Sequence, residues 1–323
     1  MKTALVSIRW FLAVSVVVTL IGVASVRSAH ANAYTFTTIS VPGSSATLAY
    51  GVNNSGQIVG IYTDTNGVTQ GFLYNSGTFT QIQFPGAQGT LAQGINDSGQ
   101  IVGGYGQVSG NVSAFLDSGG TFSTITPTGS IAALVYGINN GGQMVGIYQD
   151  SGGNQLSFLD NGGTFTDISV PGAIQTVAFG INGSGEIVGA YEVTAGTALG
   201  FLDDGGTFTT ISVPGSTATI AEGINSAGQI VGLFADSSGN QEDFLYSGGI
   251  YTTIDFPGAA QTVIQGINGN GELVGGYADA NGNVYGFFAT PTTATPEPAT
   301  LMLLGTGLLA MATYCRRRNL ARI

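Results

Sequence analysis

The sequence predicts an all-β fold: a six-bladed β-propeller with four strands per blade, its ring closed by the N-terminal strand. Three observations predict it. The motif GVNNSGQIVGIY at residues 51–62 returns at Gly94, Gly137, Gly180, Gly223 and Gly266, always after 43 residues. Each repeat holds four short apolar runs, which in the first are LAYGVN, QIVGIY, QGFLY and TFTQIQF. The runs are separated by NNSG, TDTNG and NSG, clusters of residues that accept the positive φ of tight turns. Four strands in about 43 residues, repeated, is the pattern of a propeller. A solenoid is the competing architecture; it normally uses shorter rungs and needs distinctive caps, and none is seen here.

The phase of the repeat explains the closure. The stretch FLYNSGTFTQI reads as a hairpin, so every TFTxI run belongs with the three strands before it. The sixth repeat stops at GFFAT, residues 286–290, without such a run. The spare copy, YTFTTIS, stands at residues 34–40. Placed beside the last repeat, it joins the two ends of the ring and hides sheet edges that would otherwise pair with other chains.

Within residues 51–72 and their equivalents six positions do not vary: Gly51, Asn53, Gly56, Val59, Gly60 and Phe72. Gly51 is expected to permit close approach near the ring axis, Asn53 and Gly56 to shape the turn, and Val59 and Tyr62 to pack. A sixfold ring of Asn also has the look of a ligand ring, but Asn and Gly are what such turns require. Asn53-Asn54-Ser55, Asn111-Val112-Ser113 and Asn182-Gly183-Ser184 match the glycosylation pattern, and turn formation explains them equally well.

Both chain ends differ in kind from the repeats. Residues 1–33 combine a basic start, an apolar run at 10–26 and small residues, the pattern of a secretory signal peptide, with cleavage fitting after Ala31 or Ala33. At the other end, after a linker at 291–295, Pro296, Glu297 and Pro298 precede an apolar run to about residue 314 and then Arg316, Arg317 and Arg318. The run predicts a membrane-spanning helix whose arginines stay cytoplasmic. Residues 296–323 resemble the PEP-CTERM sorting signal of exopolysaccharide-producing bacteria. The resemblance implies an inner-membrane-anchored precursor with its body on the periplasmic side. An exosortase then processes it near the Pro-Glu-Pro triplet for the cell surface or extracellular matrix. The repeats, through GINxxGQIVG, a Phe-Leu strand and TFTTI-x-x-PG, are similar to the extracellular HAF-type repeat. That likeness implies an exported repeat protein and transfers no catalytic residue.

Charge narrows the function. All seven basic residues lie in residues 2–27 and 316–322, whereas 17 of the 18 acids fall within residues 34–295. A body without cations cannot neutralise phosphates, so nucleic acid is excluded as a partner class. The only His and the only Cys, His30 and Cys315, lie outside the repeats, so Ser–His and Cys–His nucleophiles and His-based metal sites are excluded there.

Most acids fall in columns that read as turn chemistry. Asp64, Asp150, Asp236 and Asp279 share one, with Glu192 a residue earlier, in loops such as TDTNG that weakly resemble calcium sites but hold too few carboxylates. The candidate site is the column before GIN: Tyr50, Gln93, Tyr136, Phe179, Glu222 and Gln265. These residues are expected at the entry of the inner strands, on the same face as the acidic rim, where they suit sugar recognition or simply fill the channel mouth. The expected function is a non-catalytic binding or scaffold module linked to exopolysaccharide, without a cofactor unless the rim holds calcium. Two alternatives stay open: a carboxylate-dependent glycan hydrolase or lyase, and a purely structural surface protein.

Overall fold

The computed structural model describes residues 34–292. The expected signal peptide and C-terminal helix lie outside these residues, and among the described ones no helix is long and apolar enough to cross a membrane. All regular structure there is β. The chain opens with β1 (Tyr34–Ile39). The first repeat follows as β2 (Ala46–Val52), β3 (Ile58–Thr63), β4 (Thr69–Asn75) and β5 (Thr78–Ile82). The second contains β6 (Thr90–Ile95), β7 (Gln100–Gly106), β8 (Val112–Ser118) and β9 (Thr121–Ile125). The third contains β10 (Ser130–Ile138), β11 (Met144–Asp150), β12 (Gln155–Asn161) and β13 (Thr164–Ile168). The fourth contains β14 (Gln175–Ile181), β15 (Ile187–Thr194), β16 (Thr197–Asp204) and β17 (Thr207–Ile211). In the fifth are β18 (Ala218–Ile224), β19 (Ile230–Ala235), β20 (Gln241–Ser247) and β21 (Ile250–Thr253). The sixth has only β22 (Gln261–Ile267), β23 (Leu273–Ala278) and β24 (Val284–Pro291).

Within each repeat consecutive strands pair antiparallel. Repeats two to five form four separate four-stranded sheets. The first and sixth share one eight-stranded sheet, joined only by a single parallel bridge between Ala46 and Val284. The fourth strand of the sixth repeat is β1, which pairs with β24. The result is an all-β, propeller-like fold.

Side chains show that β1 fills the vacant place faithfully. In each complete repeat a fully buried Phe on the third strand meets an aromatic on the fourth at a steep angle. Phe72 lies 5.6 Å from Phe79, Phe158 5.6 Å from Phe165, and Phe201 5.7 Å from Phe208. Phe36 of β1 takes this position against Phe287, at 5.5 Å and 63°. Similarly, Tyr148 Oη donates to Asp167 Oδ1 at 2.9 Å, nineteen residues on, whereas the hydroxyl of Tyr277 meets Thr38 Oγ1 of β1 at 2.9 Å.

Glycine sets how closely the backbones approach. A Cβ on Gly51 would lie 2.9 Å from the Gln93 carbonyl oxygen of the next repeat, and one on Gly266 only 2.6 Å from that of Tyr50. The contact thus runs from each repeat to the next and from the sixth back to the first. Gly60 is tighter still: a Cβ there would overlap the Leu48 carbonyl of its own sheet. An Ala at either position forces backbone apart, which explains the two invariant columns.

If β1 closes the ring, a chain lacking residues 34–39 leaves Phe287 uncovered and the β24 edge unpaired. Loss of an aromatic of this kind costs about 3–5 kcal/mol. We expect the urea midpoint of that variant to fall accordingly and to recover on adding the peptide YTFTTIS. An unchanged midpoint would show that β1 contributes nothing to closure.

Candidate functional site

The six residues before GIN share one backbone feature. Every inner strand has a register shift at this position, between Ala49 and Gly51, Ala92 and Gly94, Val135 and Gly137, Ala178 and Gly180, Ala221 and Gly223, and Ile264 and Gly266. Tyr50, Gln93, Tyr136, Phe179, Glu222 and Gln265 are therefore the extra residues of six β-bulges. A bulge turns a side chain out of the alternation that would bury it between sheets. Around the ring the structure brings some of these side chains together: Tyr136 and Phe179, from adjacent repeats, meet edge-on at 5.1 Å. Glu222 is half-buried, and the crowding desolvates its carboxyl, pushing its pKa up from 4.5 to about 8. Burial raises the Tyr50 phenol as well, and the nearby charge of Glu222 adds to that rise.

Their placement corrects the expectation of a shared mouth with the acidic rim. The loops before the inner strands do share a face with the TDTNG-type turns, as the Ser45 N–H to Thr63 carbonyl bond at 3.0 Å and the Ile174 N–H to Glu192 carbonyl bond at 2.7 Å require. Tyr50, however, is the fifth residue of β2, four residues or about 13 Å along the strand from that face. It stands nearer the GIN turns at the opposite end. The periodic pattern fixes which face a residue lies on, but its depth along the strand depends on the bulge.

The rim acids are engaged in their own turns. Asp64 Oδ1 accepts the N–H groups of Asn66 and Val68 at 2.8 and 2.9 Å. Asp150, Asp236 and Asp279 accept equivalent bonds and a further one from the side-chain amide of Asn154, Asn240 or Asn283. Those side-chain amides, followed by the backbone N–H groups, hold the three carboxyls below their usual range. Glu192 accepts from Gly196 N–H. Each acid thus serves a different repeat, and among the described residues no group of three or more His, Cys, Asp or Glu could hold a metal ion.

The invariant Asn turns out to do more than shape a turn. Asn139 Oδ1 accepts the N–H groups of Gly141 and Gln143, both at 3.0 Å. Its Nδ2 donates to Gln143 Oε1 at 2.8 Å and to the backbone carbonyl of Asn182, in the next repeat, at 3.0 Å. The bond to the next carbonyl recurs from Asn53 to Asn96, Asn96 to Asn139, Asn182 to Asn225, Asn225 to Asn268, and Asn268 back to Asn53. Six amides form one closed cycle around a central cavity of about 90 Å³. Beside it, in a column that sequence reasoning passed over, Asn54 and Asn140 both donate to Asp97 Oδ2 at 2.7 Å. Burial alone would raise Asp97, but the Asn54 N–H and the two side-chain amides outweigh it and bring its pKa below the ordinary value. A signal was present: three amide or acid side chains stand in consecutive repeats where Gly183, Ser226 and Gly269 follow.

The inner strands therefore hold one carboxyl of raised pKa among aromatic and amide groups, beside a polar cavity whose side chains are hydrogen-bonded to one another. Comparison with known proteins adds the tail and the fold. Residues 294–318 match the family described as the PEP-CTERM protein-sorting motif. That motif implies export and exosortase-dependent sorting to the cell surface. No curated protein matches the sequence. Among solved structures, a putative TolB from Agrobacterium tumefaciens superposes with a TM-score of 0.54 at 13% identity, over 77% of this chain and 91% of that one. TolB from Acinetobacter baumannii gives 0.49 at 14% identity, over 77% of this chain; the match spans only 64% of that protein's length. The Aleuria aurantia lectin, described as a six-bladed β-propeller with a novel fucose recognition mode, gives 0.47 at 15% identity, over 80% and 100% of the two chains. At these identities the likeness is one of fold alone, and the Agrobacterium structure carries it.

A carboxyl held protonated in the folded state but ionised in the unfolded one makes folding weaken as pH rises. Between pH 4.5 and about 8 the folded protein binds the extra proton at Glu222. Stability is then lost at roughly 1.4 kcal/mol per pH unit across that window. Glu222→Gln removes the titration and keeps the shape, so its urea midpoint is expected to fall less between pH 5 and pH 8 than that of the unmodified protein. Parallel pH profiles would contradict this placement of Glu222.

Proposed function

We propose that the chain is an exported six-bladed β-propeller whose blades are the six four-stranded sets, acting at the cell surface or in the extracellular matrix as a non-catalytic binding or scaffold module linked to exopolysaccharide. Residues 1–33 are its signal peptide, 34–290 the propeller, 291–295 a linker and 296–323 the sorting signal with its membrane helix. The precursor sits in the inner membrane with its body on the periplasmic side until an exosortase processes the tail.

The observation that carries this reading is the sorting motif at residues 294–318. The similarity of the repeats to HAF-type extracellular repeats supports the same address. The chemistry of the body supports the role. It has no Lys, Arg, His or Cys, so it attracts neither phosphates nor other anions, and its ring residues are aromatic and amide groups with a single carboxyl. Neutral, hydroxyl-rich polymers suit a body without cations, while Gln93, Tyr136 and Phe179 of the ring are themselves buried. Glu222 has no second acid in its column to act as partner, which favours binding over glycoside hydrolysis, a reaction that normally uses two. With each rim acid committed to its own turn, binding is expected to need no calcium.

The exported protein is expected to co-sediment with its host's own exopolysaccharide equally with calcium or with EDTA, above an unrelated acidic propeller. Release of sugar from that polymer, lost in Glu222→Gln, would instead support the enzyme alternative. Retention in the supernatant under both conditions would leave a purely structural surface role.

A further inference from the structure

The ring of bulge residues divides into two unequal parts. Repeats three and four contribute Tyr136 and Phe179, which join Leu134 and Val177 in one apolar cluster, all four buried. The other four repeats, consecutive around the closed cycle, contribute Glu222, Gln265, Tyr50 and Gln93. Among the described residues none of these four side chains makes a hydrogen bond. Gln93 is only 7% exposed, so an amide more than nine-tenths buried stands here without a protein partner. Buried polar groups are normally satisfied by protein, water or an ion. Four exceptions in one ring mark a place where the partner comes from outside the chain.

The same four repeats leave room at the axis. Two residues nearer the face of the TDTNG-type turns, Ile220, Val263, Leu48 and Leu91 are half-buried, whereas Leu134 is 1% and Val177 4% exposed. Glu222 and Tyr50 lie deep enough for burial to govern both ionisations, yet each keeps accessible surface. Their polar atoms are not among the sealed ones left unmet, so they open on space that admits water. The result is a chamber about 13 Å below that face. Four repeats supply its polar wall and two its apolar wall.

The two walls select the occupant. Between His30 and Arg316 the chain has no Lys, Arg or His, so no cation of its own can meet the Glu222 carboxylate. A buried carboxyl without a counter-ion is costly to ionise, and a ligand that brings the positive charge offsets that cost. A neutral alcohol or sugar does not. A divalent metal asks for more than one carboxylate, and among the described residues no group of three His, Cys, Asp or Glu could hold it. A primary ammonium carries three N–H donors and no acceptor, which suits the oxygens of Glu222, Gln265, Gln93 and Tyr50. Its carbon end suits Tyr136 and Phe179, whose rings also attract cations. On the turns of the fifth and sixth repeats Asp236 and Asp279, held below their usual range, keep the approach negative. We propose that the axial chamber binds a small primary alkylammonium ion, its charge against Glu222 and its carbon end against Tyr136 and Phe179. This does not depend on the exopolysaccharide reading, since a site at this depth serves a free small molecule rather than a polymer.

The test is titration of the exported protein with n-propylammonium chloride, followed by NMR of isotope-labelled glutamate carboxyls, with n-propanol and potassium chloride as controls. The Glu222 signal, identified by its loss in Glu222→Gln, is expected to shift saturably toward the ionised position. Propylammonium should achieve this at a concentration about tenfold or more below that of either control, the worth of one charge-assisted hydrogen bond. With the amine bound, the midpoint of the Glu222 titration should fall from about 8, because the ammonium favours the charged form. An alkylammonium stays charged to about pH 10, so apparent affinity rises as pH climbs toward 8 and levels off above it. The other titratable groups of the ring are the phenols of Tyr136 and of Tyr50, the latter pushed up by burial. Glu222→Gln keeps the shape of the wall and should weaken binding about tenfold or more, read from the propyl signals of the ligand. Phe179→Ala leaves the carboxyl in place and should weaken propylammonium more than methylammonium. Equal response to propanol or potassium, an unmoved Glu222 midpoint, or undiminished binding by Glu222→Gln would overturn the proposal. Absence of any saturable shift would show a chamber that holds water only, with the same consequence.

Discussion

The structure depends on one amide. Each invariant Asn closes its own turn through Oδ1 and reaches the next repeat through Nδ2, and both ends are buried away from water. An unmet donor or acceptor in such a place costs about 1–3 kcal/mol, more than the bond returns when made. The cycle is therefore stable only when complete. It also explains how a body with no cation and no disulfide among its repeats holds its ends together: the sixth Asn binds the first, as each of the others binds its successor.

The glycines and bulges follow from that constraint. To bring Asn carbonyls within reach of the neighbouring amide, inner strands must approach at Gly51 and its equivalents, where a side chain would strike the next repeat's backbone. The bulge immediately before it accommodates the convergence and frees one side chain per repeat from the sheet. Those six side chains vary in character from one repeat to the next, from Phe179 to Glu222. Rigidity around the axis and variety on it have the same origin.

Much of this was legible in the sequence. The 43-residue period, the four runs and the stray YTFTTIS gave strand number, phase and the role of β1, because turns and alternation are local properties. The close approach at Gly51 was also inferable from invariance within one chain. The depth of Tyr50 and Glu222 was not, since a bulge is a one-residue slip in register that a period-two pattern does not record. Nor was the donation from Asn53 to Asn96, which links residues far apart in the chain.

Closure by a cycle of amides makes a claim about cooperativity that hydrogen exchange tests directly. In a closed ring no repeat is terminal, so the turn amides of residues 53–57 and their five equivalents should exchange together, at one rate set by global unfolding. A stack with open ends would instead lose protection from the first and sixth repeats inward. Native-state exchange followed peptide by peptide across all six turns distinguishes the two. Uniform, late exchange is the result expected here, and early exchange confined to the turns at residues 53–57 and 268–272 would contradict the ring.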